Sequence, residues 1–420
     1  MRTFLNCSLL LACTQSLAQI GWTTLDAPST VRYDDIHFID DSTGWAAGGP
    51  GGEIYHTTDA GDSWEVQFAS PSYLRCIEFL DELNGFSGSL NGQLFRTTNG
   101  GETWADIAEN IDPQPEGICG LSAPDVNTVY GCGIWSGPAF VIKSVNGGDD
   151  WTYIDMSAYA SRLVDIHFIT PLIGFVSGTA AETSQGGIVL YTDDGGTNWS
   201  PKFTTNTTSD IIWKIQQLDD THWYGSVFSE PVNDDTRMLQ SIDGGMTWTM
   251  HTVADTYTYI EVIGFINPEH GWTGGHDQLW ETTDGGETWA EVELGFNYNR
   301  FFKTNDSTAY ISGQRIYRYR GEAPQVGIAE KEEHIVAHKL EVMPNPSDGR
   351  FNIRLTIDNP TMVDLVVLAP NGSTVERPMH RRVGKGTYTL PIDLGAAKGA
   401  GYVVMVRTNE GMLYRKVLLE

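Results

Sequence analysis

Basic residues are scarce through the first four-fifths of this 420-residue chain: residues 1–337 hold 46 Asp and Glu against 15 Lys and Arg, while 338–420 hold 8 against 11. A surface of that sign repels phosphate backbones, which excludes nucleic acid as a partner of the main part and suits solubility outside the cell. Cysteine is scarce as well, with five in all. Cleavage of an N-terminal signal would leave three, Cys76, Cys119 and Cys132, an odd number that builds no disulfide framework. Cys119 and Cys132 flank a plausible hairpin, where they either pair or stay buried thiols. No segment reaches about 18 apolar residues, so no transmembrane segment is expected. Histidines (His37, His56, His167, His222, His251, His270 and His276) are scattered singly, with no two at ligand spacing on one strand. The acidic stretch 233–235 lacks the alternating ligands of a calcium loop. Neither a metal nor a cofactor is expected.

Glycine and the aromatics are abundant, with 46 Gly, 13 Trp and 17 Tyr, which points to many short strands and tight turns in an all-β chain. The length suits two domains, since single cores stop growing at roughly 250–300 residues. Arg2, the apolar centre Leu9–Ala12 and the triplet Ser16-Leu17-Ala18 read as a signal peptide over 1–18 with the mature chain starting at Gln19. A lipid-attachment reading at Cys13 would leave a shorter apolar region.

One octad recurs six times: Ser/Thr, any, Asp/Asn, any, Gly, any, any, Trp. Its third positions are Asp59, Asn99, Asn146, Asp194, Asp243 and Asp284; its last are Trp64, Trp104, Trp151, Trp199, Trp248 and Trp289. The tryptophans are 40, 47, 48, 49 and 41 residues apart, about one four-stranded blade each. In such a turn the Asp or Asn side chain is expected to accept backbone N–H groups two residues on, Gly to supply positive φ, and Trp to start an outer strand. A second pattern occurs seven times upstream. It pairs apolar strands ending at Phe38, Phe79, Phe168 or Phe265 with a following aromatic at Trp45, Phe86, Tyr130, Phe175, Trp223, Trp272 or Tyr310. Six octads and seven inner patterns are reconciled if Gly21-Trp22-Thr23-Thr24-Leu25 is the outer strand of the last blade, closing a ring over 19–320 and removing its open edges.

These octads resemble the Asp-boxes of sialidase-type (BNR) repeats, and their arrangement over residues 22–320 resembles the seven-bladed photosystem II assembly and stability factor propellers and, more distantly, sortilin-type propellers. The resemblance implies a seven-bladed β-propeller; its motif residues serve the turn and specify no activity.

After a charged, irregular linker over 321–337, residues 338–420 change character. Leu340-Glu341-Val342-Met343-Pro344-Asn345-Pro346, the apolar run Asp364–Leu368, an Asn371-Gly372 turn, Gly401-Tyr402 and a final Lys416 strand indicate a small Ig-like β-sandwich. The stretch resembles the type A C-terminal sorting domain of the type IX secretion system of Bacteroidota, with Met343 where an aromatic is common. That resemblance implies the secretion machinery as a partner, passage through the periplasm, and a secreted or outer-surface destination.

Candidate binding residues follow from blade topology, which sets the starts of the innermost strands on the face opposite the octads. Arg32, Arg75 and Arg162 fall there, with Lys214 and Arg300 beside them. Either the five converge on an anionic ligand, glycan or protein, or each pairs locally with Asp34, Asp35, Asp165 or Glu78. The photosystem factor resemblance also implies an arginine patch. No catalytic residue is expected: a sialidase-like hydrolase, the enzymatic alternative, would show a Phe-Arg-Ile-Pro motif and six blades. The expectation is an exported non-catalytic binding module, or else an assembly or stability factor for an envelope complex.

Overall fold

The computed structural model describes residues 21–28, 31–134, 136–229, 235–321, 338–345, 347, 349–368, 374–395, 401–408 and 411–418. The signal segment, most of the linker, residues 233 and 234 of the acidic stretch and the Asn371-Gly372 turn lie outside them. The chain divides into two compact units between residues 325 and 326.

The first unit is a seven-bladed β-propeller. Each blade is a four-stranded antiparallel meander; in blade one the strands are Tyr33–Phe38, Gly44–Gly48, Glu53–Thr57 and Glu65–Ala69, counted from the centre outward. The innermost strands of blades two to seven are Leu74–Phe79, Gly120–Ser122, Ala160–Phe168, Asp210–Gln217, Ile260–Phe265 and Arg300–Asn305. Gly21–Thr24 pairs with Ile316–Arg320, Gly21 opposite Arg320 and Thr24 opposite Tyr317, so the first strand of the chain completes blade seven.

The phenylalanine that ends an innermost strand packs flat against an aromatic of the preceding blade. Phe79 lies on Trp45 at 3.5 Å between ring centres, Phe168 on Tyr130 at 3.5 Å, Phe265 on Tyr224 at 3.6 Å and Phe38 on Tyr310 at 4.1 Å. Glycine stands opposite each of these rings: a Cβ on Gly174 would sit 2.5 Å from the Phe168 ring, and Gly44, Gly85 and Gly271 are equally close to theirs. Sequence pattern thus becomes blade packing, because the recurring Phe and Gly leave a slot one ring thick. Side chains also tie innermost strands together where no ladder can reach. Asp35 accepts the Ile77 N–H, Glu78 that of Ala123, Ser122 that of Phe168, Asp165 that of Ile215 and Gln216 that of Phe265, all between 2.7 and 3.0 Å.

The six octads share one hydrogen-bond scheme, and it corrects the expected one. The carboxylate or amide oxygen accepts the N–H four residues on rather than two, as in Ser63 to Asp59 at 2.8 Å and Asn198 to Asp194 at 2.9 Å. The leading hydroxyl closes the shorter loop: Thr57 accepts the Gly61 N–H at 2.9 Å and donates to Asp59 at 2.8 Å. A Ser or Thr ahead of the Asp or Asn supplies that reach, which is why the octad opens with one. The tryptophans follow, with Trp199 and Trp248 buried and their indole N–H groups donating to Gly196 and Gly245.

The second unit is a β-sandwich. One sheet joins His338–Met343, Arg350–Ile357 and Gly386–Asp393; the other orders Thr374–Val383, Thr361–Leu368, Gly401–Thr408 and Gly411–Leu418. Alternate residues of Arg350–Ile357 are buried, and Phe351, Ile353 and Leu355 meet Val363, Leu365, Val404 and Val406 in its core. In the propeller, Cys76, Cys119 and Cys132 are buried and none is in a disulfide; burial pushes the Cys76 and Cys132 thiols well up.

Two outcomes are expected of the octads. The fourth position is left-handed throughout, and Ala60, at φ 61°, stands where the other five octads have glycine. Ala60→Gly is therefore expected to raise stability by about 0.5–1 kcal/mol, relief of backbone strain offset by added unfolded-state freedom; a lowered urea midpoint would refute this. Hydrogen bonds from the residue four places on hold the Asp59, Asp194 and Asp284 carboxyls down at about 2 against an ordinary 3.8. Their folded values are depressed, so the stability they contribute is fully present above about pH 4 and is lost as pH falls toward 2. Carboxyl-carbon NMR titration checks the three midpoints directly.

Candidate functional site

Seven innermost strands converge on the axis of the ring, and the charged residues they carry meet there in two layers. In the first, the Arg32 guanidinium donates to Asp34 at 2.5 Å, to Glu261 of blade six at 2.8 Å and to the Tyr73 hydroxyl at 3.2 Å. Arg75, almost fully buried, donates to Asn299 at 3.0 Å and lies 3.9 Å from Asp34. Asn299 in turn donates to Glu261 at 3.1 Å, and Arg75 rests 5.6 Å above the Trp213 ring.

The second layer spans the ring. Arg300 of blade seven donates to Asp35 of blade one at 2.9 Å and to Asp165 of blade four at 3.1 Å. Lys214 of blade five places its ammonium 3.7 Å from the other Asp165 oxygen. Four of the five sequence-selected cations are thus brought together, and four carboxylates (Asp34, Asp35, Asp165 and Glu261) balance them. Arg162, at the start of blade four's innermost strand, is half-buried and makes no ion pair among the described residues.

Electrostatics follow from burial and pairing. Burial drives the Asp165 carboxyl up, but Arg300, Lys214 and the Ile215 N–H together hold it below the ordinary range. Burial, with Arg300 close by, pulls the Lys214 ammonium down despite Asp165. Burial opposes charge on Arg300 too, yet Asp165 and Asp35 outweigh it and keep the guanidinium protonated. Beyond this layer a cavity of about 250 Å³ opens toward the octad face. Its wall includes His37, 3.2 Å from Glu78, and His167, 3.1 Å from Gln217; burial holds the His167 imidazole below its usual value. Each of the four carboxylates lies within ion-pair distance of a cation, so this arrangement braces the ring, while the Lys214 ammonium makes no hydrogen bond among the described residues.

Sequence reasoning missed Glu261 and Asn299. Glu261 was within reach, because alignment on the closing phenylalanines puts it at the same place as Asp34 and Arg75, four residues before Phe265, Phe38 and Phe79. Asn299 sits just before its strand, where no pattern marks it.

No family model matches the chain. The photosystem II assembly lipoprotein Ycf48 of Synechococcus sp. (strain CC9902) is 26% identical over 207 residues, which cover 48% of this chain and 58% of the relative. The chain therefore spans little more than half the length of the curated relative it matches. Among solved structures, YCF48 bound to D1 peptide superposes with a TM-score of 0.56 at 19% identity, over 73% of this chain and 99% of the other. YCF48 from Cyanidioschyzon merolae gives 0.55 at 17%, over 72% and 98%. PorZ, a surface component of the type IX secretion system of Porphyromonas gingivalis, gives 0.53 at 12%, over 95% of this chain and 60% of PorZ. At these identities the structures establish the propeller fold.

If Arg300 is the brace, Arg300→Met leaves two buried carboxylates without it and is expected to cost about 3–5 kcal/mol in urea denaturation. Adding Asp165→Asn removes one stranded charge, so the double variant should be more stable than the single one. An Arg300→Met midpoint equal to wild type would mean that the brace carries no net stability.

Proposed function

We propose that the chain is an exported, non-catalytic propeller that holds another protein outside the cell or at its surface, in an assembly or stability role. One observation carries this reading: the charged side chains best placed for chemistry or for anion capture are engaged with one another across the channel. A carboxylated glycan would need free cations, and four of the five candidates already have carboxylate partners, which favours a protein ligand over an acidic glycan. Support for an assembly role comes from the Ycf48 relative, an assembly lipoprotein by name, and from a similar propeller solved with a bound peptide. The signal-like N-terminus and the β-sandwich resembling a type IX sorting domain provide the export route, and the octads read as Asp-boxes provide the turns.

The test is recovery of the tagged full chain from its native host after mild crosslinking. One protein at near-equal stoichiometry is expected, and incubation with a panel of neutral and acidic polysaccharides should release no reducing ends. Sugar turnover that disappears in a channel variant would sink this proposal, as would the absence of any stoichiometric partner.

A further inference from the structure

Two sets of loops form the octad face: the six octad turns and the seven loops between first and second strands. Nineteen Asp or Glu residues fall in them, ten in the octad turns and nine in the others, and not one Lys or Arg. The same loops hold seven of the nine exposed large apolar side chains described in the propeller. They occupy four consecutive blades: Leu83 in blade two, Val126 and Val145 in blade three, Ile169 and Leu172 in blade four, Ile242 and Met246 in blade five.

Single exposed apolar side chains are ordinary, but a run of them on one face of four adjacent blades is not. The loops touch: the Gly195 N–H of the blade-four octad donates to the Leu172 carbonyl, and Tyr130 of blade three donates to the carbonyls of Pro171 and Gly195. Grooves give the face relief. One of about 750 Å³ lies between blades one and two, walled by Ile39, Leu80 and Leu83 with Asp40, Asp81 and Glu82 beside them. Another, of about 440 Å³, sets Val145 and Ile154 next to Asp150 between blades three and four, with the Lys143 ammonium at its wall held by the Gly195 carbonyl at 2.9 Å.

We propose that this face docks a protein segment carrying Lys or Arg together with large apolar side chains, laid across blades two to five. The apolar run supplies the area to bury, and the loops, net negative although Arg96 reaches Asp149 at 2.8 Å, select cationic flanks and repel an anionic membrane surface. The proposal rests on the binding-module reading and names its partner's chemistry.

Fluorescence anisotropy with the full chain and three 18-residue probes tests it: a Leu/Lys amphipathic peptide, a Leu/Glu counterpart and a Ser/Lys counterpart. The Leu/Lys probe is expected to bind at least about tenfold more tightly than either of the others. Leu83→Ser, Val126→Ser, Leu172→Ser and Ile242→Ser combined should weaken it about tenfold or more. So should Glu82→Lys with Asp193→Lys, an exposed pair that keeps the test alive if the apolar variant unfolds. Equal binding of the Ser/Lys probe overturns the proposal, since acidity alone would then act. Unchanged binding in folded variants also overturns it, but leaves the binding-module reading standing with its surface elsewhere. Failure of all three probes overturns the proposal as well, and the partner-recovery experiment then decides the broader reading.

Discussion

A ring of sheets has an unavoidable weak place at its centre, where seven innermost strands approach one another without a shared ladder. Backbone pairing works outward within each blade, so cohesion across the axis falls to side chains. Arg300 answers that constraint, with one guanidinium fork reaching carboxylates in blades one and four. Burying charge is costly unless it is paired, and the channel sets four cations against four carboxylates, although the Lys214 ammonium and one Asp165 oxygen make no hydrogen bond among the described residues. The same residues stitch neighbours, since Asp35 and Asp165 also accept N–H groups from the next blade. Axis and junctions are therefore one network.

Fold was legible where its determinants are local. An octad fits within eight residues, its recurrence at blade length counts the repeats, and the missing octad at Gly21-Trp22-Thr23-Thr24 marks the strand that closes the ring. The turn's internal bonding was less legible: which N–H an Asp reaches depends on two successive left-handed residues, whose effect on the chain path no spacing rule encodes. At the axis, legibility stopped at residue type. Arg32, Arg75, Lys214 and Arg300 could be selected as cations at the right heights, but their partners lie 229 residues away for Arg32 and Glu261 and 135 for Arg300 and Asp165. Whether opposed charges across a ring meet depends on ring radius and side-chain length, and both emerge only once seven blades have closed.

A division of labour follows. The interior commits its charge to cohesion, while the loops on the octad face carry acidic but no basic residues, some of them holding the turns, together with apolar side chains that the fold leaves unburied. Turn geometry explains why the two coexist: the octad satisfies its own backbone through its Ser/Thr and Asp/Asn pair, so the positions between them are free to vary.

Blade seven gives the propeller a directional mechanical character. Because Gly21 faces Arg320 in an antiparallel ladder, both chain ends leave the propeller from the same end of one strand pair. Tension between those ends loads the ladder as a zipper, one residue pair at a time beginning at Gly21 and Arg320, whereas tension applied elsewhere on the ring must shear several hydrogen bonds together. The seam that completes the circle is thus also where a pull on its termini would open it.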